Sequence, residues 1–184
     1  MSSVPKCVVF DLDNLTWYPE MYHLWGGKSG SPFRALENGN VADRGGTEVY
    51  LMGSIREILQ ELDSDEKWFH TSVAVASTCD EPEWARECMQ KIIVDKEAGR
   101  PLEDYIGVSE IHKGSKSGHF RTIASQTGVK FEEMVFFDDQ RYNCDVVSKL
   151  GVTCYLVPTG GVTRAVWNKM LGTFPSPGKT ISCR

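Results

Sequence analysis

Five short apolar runs, at 7–10, 73–76, 105–111, 134–137 and 152–157, are separated by segments with helical periodicity, and this alternation leaves few folds open. Ile55, Ile58, Leu59 and Leu62 recur at i, i+3, i+4 and i+7, the apolar stripe of an amphipathic helix. A second helix is expected from about 82 to 95, with Asp80 as its cap, Pro82 in its first turn, and Trp84, Cys88 and Ile92 on one side. A third should run from 116 to 127 and stop at Gly128, and a fourth from 142 to 150, closed by Gly151. Strands and helices alternating at this spacing mark right-handed crossovers. The expected fold is therefore a three-layer α/β/α sandwich, Rossmann-like, around a parallel sheet of about five strands. A chain of 184 residues with 41% hydrophobic content suits one domain over 1–184. Between 17 and 48 the pattern breaks around crowded aromatics, Trp17, Tyr18, Tyr22, Trp25 and Phe33, as expected of a short lid or cap insert. Residues 96–103 read as a solvated loop and 175–184 as a flexible tail.

Two of the apolar runs end in paired acids. Cys7-Val8-Val9-Phe10 leads to Asp11 and Asp13, which lie at i and i+2 and so face one side of the chain as the strand runs out. Open parallel sheets bind ligands at that carboxyl edge. Two carboxylates held together repel unless a cation lies between them, which invites a hard divalent metal, Mg²⁺ above all. Met134-Val135-Phe136-Phe137 likewise ends in Asp138-Asp139. If the two strands are neighbours, Asp11, Asp13 and one of Asp138 and Asp139 converge on one cation. The run at 73–76 brings Ser77 and Thr78 to the same edge, where hydroxyls can bind phosphate oxygens. Lys116, opening a helical pattern after Lys113-Gly114-Ser115, would offset the negative charge.

This ordered set resembles the haloacid-dehalogenase-like phosphatases. Phe10-Asp11-Leu12-Asp13 with Trp17 and Pro19, Gly114-Ser115-Lys116 with His119-Phe120, and Val135-Phe136-Phe137-Asp138-Asp139 with Asn143 and Asp145 are similar to their magnesium-dependent phosphatase 1 subfamily, over roughly 5–155. The resemblance implies a Mg²⁺-dependent phosphatase acting on phosphomonoesters of phosphosugar or phosphotyrosine type. Asp11 would be the nucleophile that forms an aspartyl-phosphate, and Asp13 the general acid and base, its backbone carbonyl also touching the metal. Asp139 would be the main late metal ligand beside Asp11 and Asp13, with Asp138 supporting it. Ser77, the Thr78 N–H and Lys116 would bind the phosphoryl group. The family usually has a threonine two residues after the second Asp, where this chain has Leu15 and then Thr16. That departure motivates an alternative, a catalytically impaired domain of the same fold that binds phosphorylated partners. A response-regulator receiver is disfavoured, because there the acceptor Asp ends the third strand and the lysine follows the acidic pair.

A net charge of −5 argues against nucleic-acid and membrane-surface partners. The insert at 17–48 is too small for a folded cap domain, and with the resemblance this implies a small phosphorylated substrate or a phosphorylated protein side chain. Six cysteines without a Cys-x-x-Cys pair read as reduced thiols, the N-terminus has no apolar leader, and no run spans a membrane, which together predict a cytoplasmic location. Gly27-Lys28-Ser29 lacks the upstream glycine of a P-loop, where Tyr22 stands. Tyr22 or Trp25 is the expected substrate contact within the insert. His119 lies one turn into a helix, and His23, His70 and His112 show no carboxylate or cysteine at ligand spacing; all four are expected to pack or face solvent.

Overall fold

β1 (Cys7–Phe10) carries no polar side chain and is buried along its whole length, a pattern that suits the interior of a sheet covered on both faces. The structure is a computed structural model and describes residues 4–184. The first three residues, part of the N-terminal stretch considered above for a leader, lie outside the described residues. After β1 follow β2 (Trp17–Tyr18), β3 (Arg34–Ala35), β4 (Val41–Ala42), β5 (Glu48–Leu51), α1 (Ile55–Ser64), β6 (Ser72–Ser77), α2 (Pro82–Lys91), β7 (Ile93–Asp95), β8 (Arg100–Pro101) and β9 (Val108–Ile111). The chain continues through α3 (Lys116–Thr127), β10 (Met134–Asp138), α4 (Arg141–Ser148), β11 (Thr153–Leu156), α5 (Arg164–Thr173) and β12 (Thr180–Ser182). Among the described residues no helix is long and apolar enough to cross a membrane.

The central sheet has six parallel strands in the order β12-β11-β10-β1-β6-β9. β1 lies between β10 and β6, with Phe10 opposite Phe137 on one side and Val75 on the other. Alternate side chains serve opposite faces. Val8, Phe10, Val75, Val135 and Phe137 pack under Ile55, Ile58 and Leu59 of α1 and Trp167 of α5. Cys7, Val9, Ala74, Ala76 and Phe136 pack against Phe120 and Ile123 of α3 and Val147 of α4. On the first face Phe137 stacks on Phe10 at 5.5 Å, Tyr155 at 5.3 Å and Trp167 at 5.9 Å. These buried faces make the sheet a stiff platform for whatever its carboxyl edge carries.

Three local expectations give way to tertiary detail. α2 ends at Lys91, not near 95: Ile92, Ile93 and Val94 are β-branched, and β7 pairs with β8 in a hairpin that takes in part of the loop at 96–103. Asp80 does not cap α2; Glu81 occupies the cap position, its N–H donates to Cys79 Sγ, and Asp80 pairs with Lys113 at 3.1 Å. The segment 175–184, expected to have little order, contributes β12, which aligns beside β11 and gives the sheet its sixth strand. The insert at 17–48 folds largely into an antiparallel sheet, order β2-β5-β4-β3. Buried Asp43 organises it, accepting from the N–H groups of Gly30 at 2.9 Å and Thr47 at 2.7 Å. Glu87 of α2 pins it, accepting from Ser31 Oγ at 2.6 Å and Phe33 N–H at 2.8 Å.

Candidate active site

Because β10, β1 and β6 are parallel neighbours, their C-terminal ends deliver Asp138-Asp139, Asp11 and Ser77 to one edge. Pairing continues past β1, where Asp11 N–H donates to the Phe137 carbonyl at 3.0 Å. Asp11, Asp138 and Asp139 each present a carboxylate oxygen, all within 4.8 Å of one another. The first turn of α3 brings Lys116 in from the side, 3% exposed, with Nζ 2.6 Å from Asp11 Oδ1 and 3.3 Å from Asp138 Oδ2. Its ammonium also donates to the Ala76 carbonyl. Burial opposes the lysine's charge, but Asp11 and Asp138 outweigh it and raise its pKa, so it stays protonated.

The late acids have different surroundings. Asp138 is fully buried and accepts from Gln140 N–H at 2.7 Å and Asn143 Nδ2 at 3.1 Å, while burial first and the Asp11 charge second push its pKa up. Asp139 accepts from Asn14 Nδ2 on Oδ2 at 2.8 Å, whereas its Oδ1 is buried without a partner. A buried, unpartnered carboxylate oxygen is costly unless something satisfies it. Asp139 groups with two further carboxylates, and an unpartnered carboxylate oxygen on such a residue suits a hard divalent cation with oxygen ligands, so the residues present fit Mg²⁺.

Asp13 lies beside this cluster and accepts from Trp17 Nε1 at 2.7 Å. Burial, opposed by the Trp17 hydrogen bond and reinforced by the Asp11 charge, raises its pKa to about 7. Such a carboxyl can hold or release a proton near neutrality. Ser77 is buried and Thr78 exposed; with Asp11 and Asp13 they line a cleft of about 190 Å³ whose other walls are Glu20, Tyr22, Cys79, Asp80, Gln140 and Asn143.

The loop after Asp11 accounts for the displaced threonine. The N–H groups of Leu15, Thr16 and Trp17 all reach the Leu12 carbonyl, at 3.2, 2.8 and 3.1 Å, and wind the chain into a tight turn. Thr16 thereby donates its hydroxyl to the Asp11 carbonyl at 2.6 Å, while Leu15 is fully buried in the core. Thr16 ties down the loop from its shifted place.

All seven residues singled out from the sequence lie at this edge: Asp11, Asp13, Ser77, Thr78, Lys116, Asp138 and Asp139. Sequence reasoning missed Asn14 and Glu20 and the bond from Trp17 to Asp13; a left-handed Asn after an acid is a turn signal that says nothing of its tertiary partner. Tyr22 lines the cleft, but Trp25 is not among its walls and instead donates its indole N–H to Glu81 at 2.8 Å. His119 is fully buried with both ring nitrogens unpartnered, packed 4.3 Å from the ring of His112. His112, expected to lack a carboxylate, pairs with Glu110 at 2.8 Å, because residues two apart on a strand face one side.

The family described as Acid Phosphatase matches residues 3–176. Magnesium-dependent phosphatase 1 of Homo sapiens is 35% identical over 161 residues, covering 87% of this chain and 82% of the human protein. A HAD-like hydrolase superfamily protein of Schizosaccharomyces pombe is 35% identical over 154 residues, 81% of this chain and 83% of its own length. Among solved structures, the N-terminal part of BF1531 from Bacteroides fragilis, containing a phosphatase domain and complexed with Mg, has a TM-score of 0.61 at 19% identity, covering 96% of this chain and 42% of that one. The haloacid dehalogenase-like hydrolase SP0104 of Streptococcus pneumoniae has a TM-score of 0.59 at 13% identity, covering 100% of this chain and 96% of its own. At these identities the solved structures share the fold.

Proposed function

Because this chain belongs to the Acid Phosphatase family of haloacid-dehalogenase-like hydrolases and is thereby a magnesium-dependent phosphatase, we propose that it hydrolyses phosphomonoesters of phosphosugar or phosphotyrosine type through a phosphoryl group carried on Asp11. The observation that carries this reading is the convergence of Asp11, Asp138 and Asp139 within 4.8 Å, with the Lys116 ammonium 2.6 Å from Asp11. In this reading Asp11, the Asp13 backbone carbonyl and Asp139 hold Mg²⁺, and Asp138 supports the site by fixing Lys116. When bound, the cation neutralises charge so that an anionic phosphoryl group can approach an anionic nucleophile.

Lys116 holds one oxygen of Asp11 and leaves the other to attack phosphorus. As the new P–O bond forms, the bond to the alcohol or phenol breaks, and Asp13 gives its proton to the departing oxygen. The pKa near 7 that burial gives Asp13 supports this, since the proton is still available close to neutral pH. Asp13, now a carboxylate, takes a proton from the water that attacks phosphorus next, which frees Asp11 and inorganic phosphate. Ser77, the Thr78 N–H and Lys116 bind the phosphoryl oxygens throughout. The insert at 17–48 acts as a lid that contributes Tyr22 and Glu20 to the leaving-group side of the cleft and leaves it open to varied substrates. The bond from Thr16 to the Asp11 carbonyl supports hydrolysis over the impaired-domain alternative, which rested on Leu15.

The test is hydrolysis of p-nitrophenyl phosphate with Mg²⁺ or EDTA, by the wild type and Asp11→Asn. Turnover should require Mg²⁺ and fall about a thousandfold or more in the variant. Borohydride quenching during turnover should convert Asp11 to homoserine, seen by peptide mass. Wild-type turnover in EDTA, or full activity in Asp11→Asn, would contradict the reading.

A further inference from the structure

Among the described residues, Asn14 is the one non-glycine residue with a left-handed backbone, φ +58°. That conformation disfavours side chains, and it persists where the surroundings impose it. Here the surroundings are the turn at 12–17, in which the Asn14 N–H donates to the Trp17 carbonyl at 2.9 Å. Turn formation alone would be met as well by glycine, which adopts this backbone without strain. What asparagine adds is the amide, and its Nδ2 donates to Asp139 Oδ2 at 2.8 Å across 125 residues of sequence.

This bond joins the loop after β1 to the loop after β10. Only the amide nitrogen can face a carboxylate, since a carboxylate accepts and does not donate. With Oδ2 occupied, the carboxylate's other oxygen, Oδ1, is the buried one that has no protein partner, on a residue that clusters with Asp11 and Asp138. The asparagine thus fixes the rotation of the carboxylate. The Asp139 carbonyl is held as well, by Arg184 Nη2 at 2.6 Å, so main chain and side chain are both restrained.

We propose that Asn14 is a positioning residue for Asp139: by holding Oδ2 it aims Oδ1 into the acidic cluster and thereby sets the affinity for Mg²⁺. The inference rests on the reading of Asp139 as a metal ligand. A preset carboxylate loses less freedom when it ligates, and hydrogen-bonded partners of metal ligands commonly govern affinity for this reason. Asn14 touches neither substrate nor phosphoryl group in this account, so its contribution should appear in metal binding and vanish at saturating metal.

The deciding variant is Asn14→Gly, which keeps the left-handed backbone and removes the amide. Calorimetric titration of EDTA-stripped, dialysed protein with MgCl₂ should show the dissociation constant raised about tenfold or more. The melting temperature in EDTA should match the wild type, and kcat should recover at saturating Mg²⁺. A smaller rise overturns the proposal. So does a variant that melts early in EDTA and stays slow at saturating Mg²⁺, because the role would then be structural. Asp139→Asn separates the two levels of argument: if it binds Mg²⁺ like the wild type, the ligand assignment itself fails, whereas loss of binding there with an unaffected Asn14→Gly sinks the positioning role alone.

Discussion

Thr16 and Leu15 show how a one-place shift in a motif is absorbed. The Thr16 hydroxyl donates to the Asp11 carbonyl at 2.6 Å, and the residue is 2% exposed. Thr16→Val keeps the shape and leaves that carbonyl without its hydroxyl donor; it should cost about 1–3 kcal/mol of stability and lower kcat by loosening the loop after Asp11. Leu15 has the opposite environment, fully buried in the core with its carbonyl against Gly161. Restoring the family's usual residue by Leu15→Thr should therefore not improve activity. It should destabilise by about 1–3 kcal/mol, because a hydroxyl replaces core packing. Urea unfolding together with kcat measures both, and a more active Leu15→Thr enzyme would refute this account. The acids, Ser77 and Lys116 were legible in the sequence because each closes an apolar run or opens a helical one. Thr16 was legible only as a displaced match to the family's threonine, and the hydrogen-bond partners of Thr16 and Asn14 were not, since both are set by the path of the turn.

At the scale of elements, α3 shows a group that acid should disturb. It packs Phe120, Ile123 and His119 toward the sheet, and the His119 ring is fully buried with no hydrogen-bond partner. Burial, with His112 and Lys116 adding like charge, depresses its pKa from 6.5 to about 4. The unfolded chain then binds a proton near pH 6.5 that the folded one refuses until about pH 4, so this contribution to stability falls as pH drops through that window. Between pH 7 and 5 the loss should be about 2 kcal/mol. His112 works the other way: its pairing with Glu110 raises its pKa, so its contribution is present at low pH and lost as pH rises through the folded value. Comparing wild type with His119→Phe by urea titration at both pH values isolates the first effect. The variant should lose less stability on acidification, and identical pH slopes would count against it. The helix at Ile55 to Leu62 followed from its periodicity, and the Gly128 stop after α3 has the left-handed φ of +70° expected of it, whereas α5 at Arg164–Thr173 was not expected from the sequence. The end of α2 was misplaced because Ile92 to Val94 suit helix and strand alike, and only the partner strand β8 decides between them.

For the whole molecule, the cost of gathering acids at one sheet edge should appear as a dependence of stability on metal. Among the described residues, the ammonium of Lys116 pairs with Asp11 and Asp138 of the Asp11, Asp138 and Asp139 cluster, leaving it net negative. Mg²⁺ at a hundred times its dissociation constant should add about 2.7 kcal/mol, a rise of about 5–10 °C in melting temperature for a chain of this size. Thermal melts with MgCl₂ and with EDTA measure the rise; Asp139→Asn should abolish most of it, and a wild type that melts identically in both would contradict the cluster's role. Residue pattern was enough for the alternation of strand and helix, the order of the acids, hydroxyl and lysine, and the preference for a hard cation. These are properties of local pattern and of side-chain chemistry, which need no knowledge of neighbours. Tertiary packing alone places β1 between β10 and β6, completes the sheet with β12, leaves one Asp139 oxygen without a partner while Asn14 holds the other, and brings the Thr16 hydroxyl to the Asp11 carbonyl. Each of these depends on a backbone path or on a pairing between segments distant in the chain, and neither leaves a periodic trace in the residues themselves.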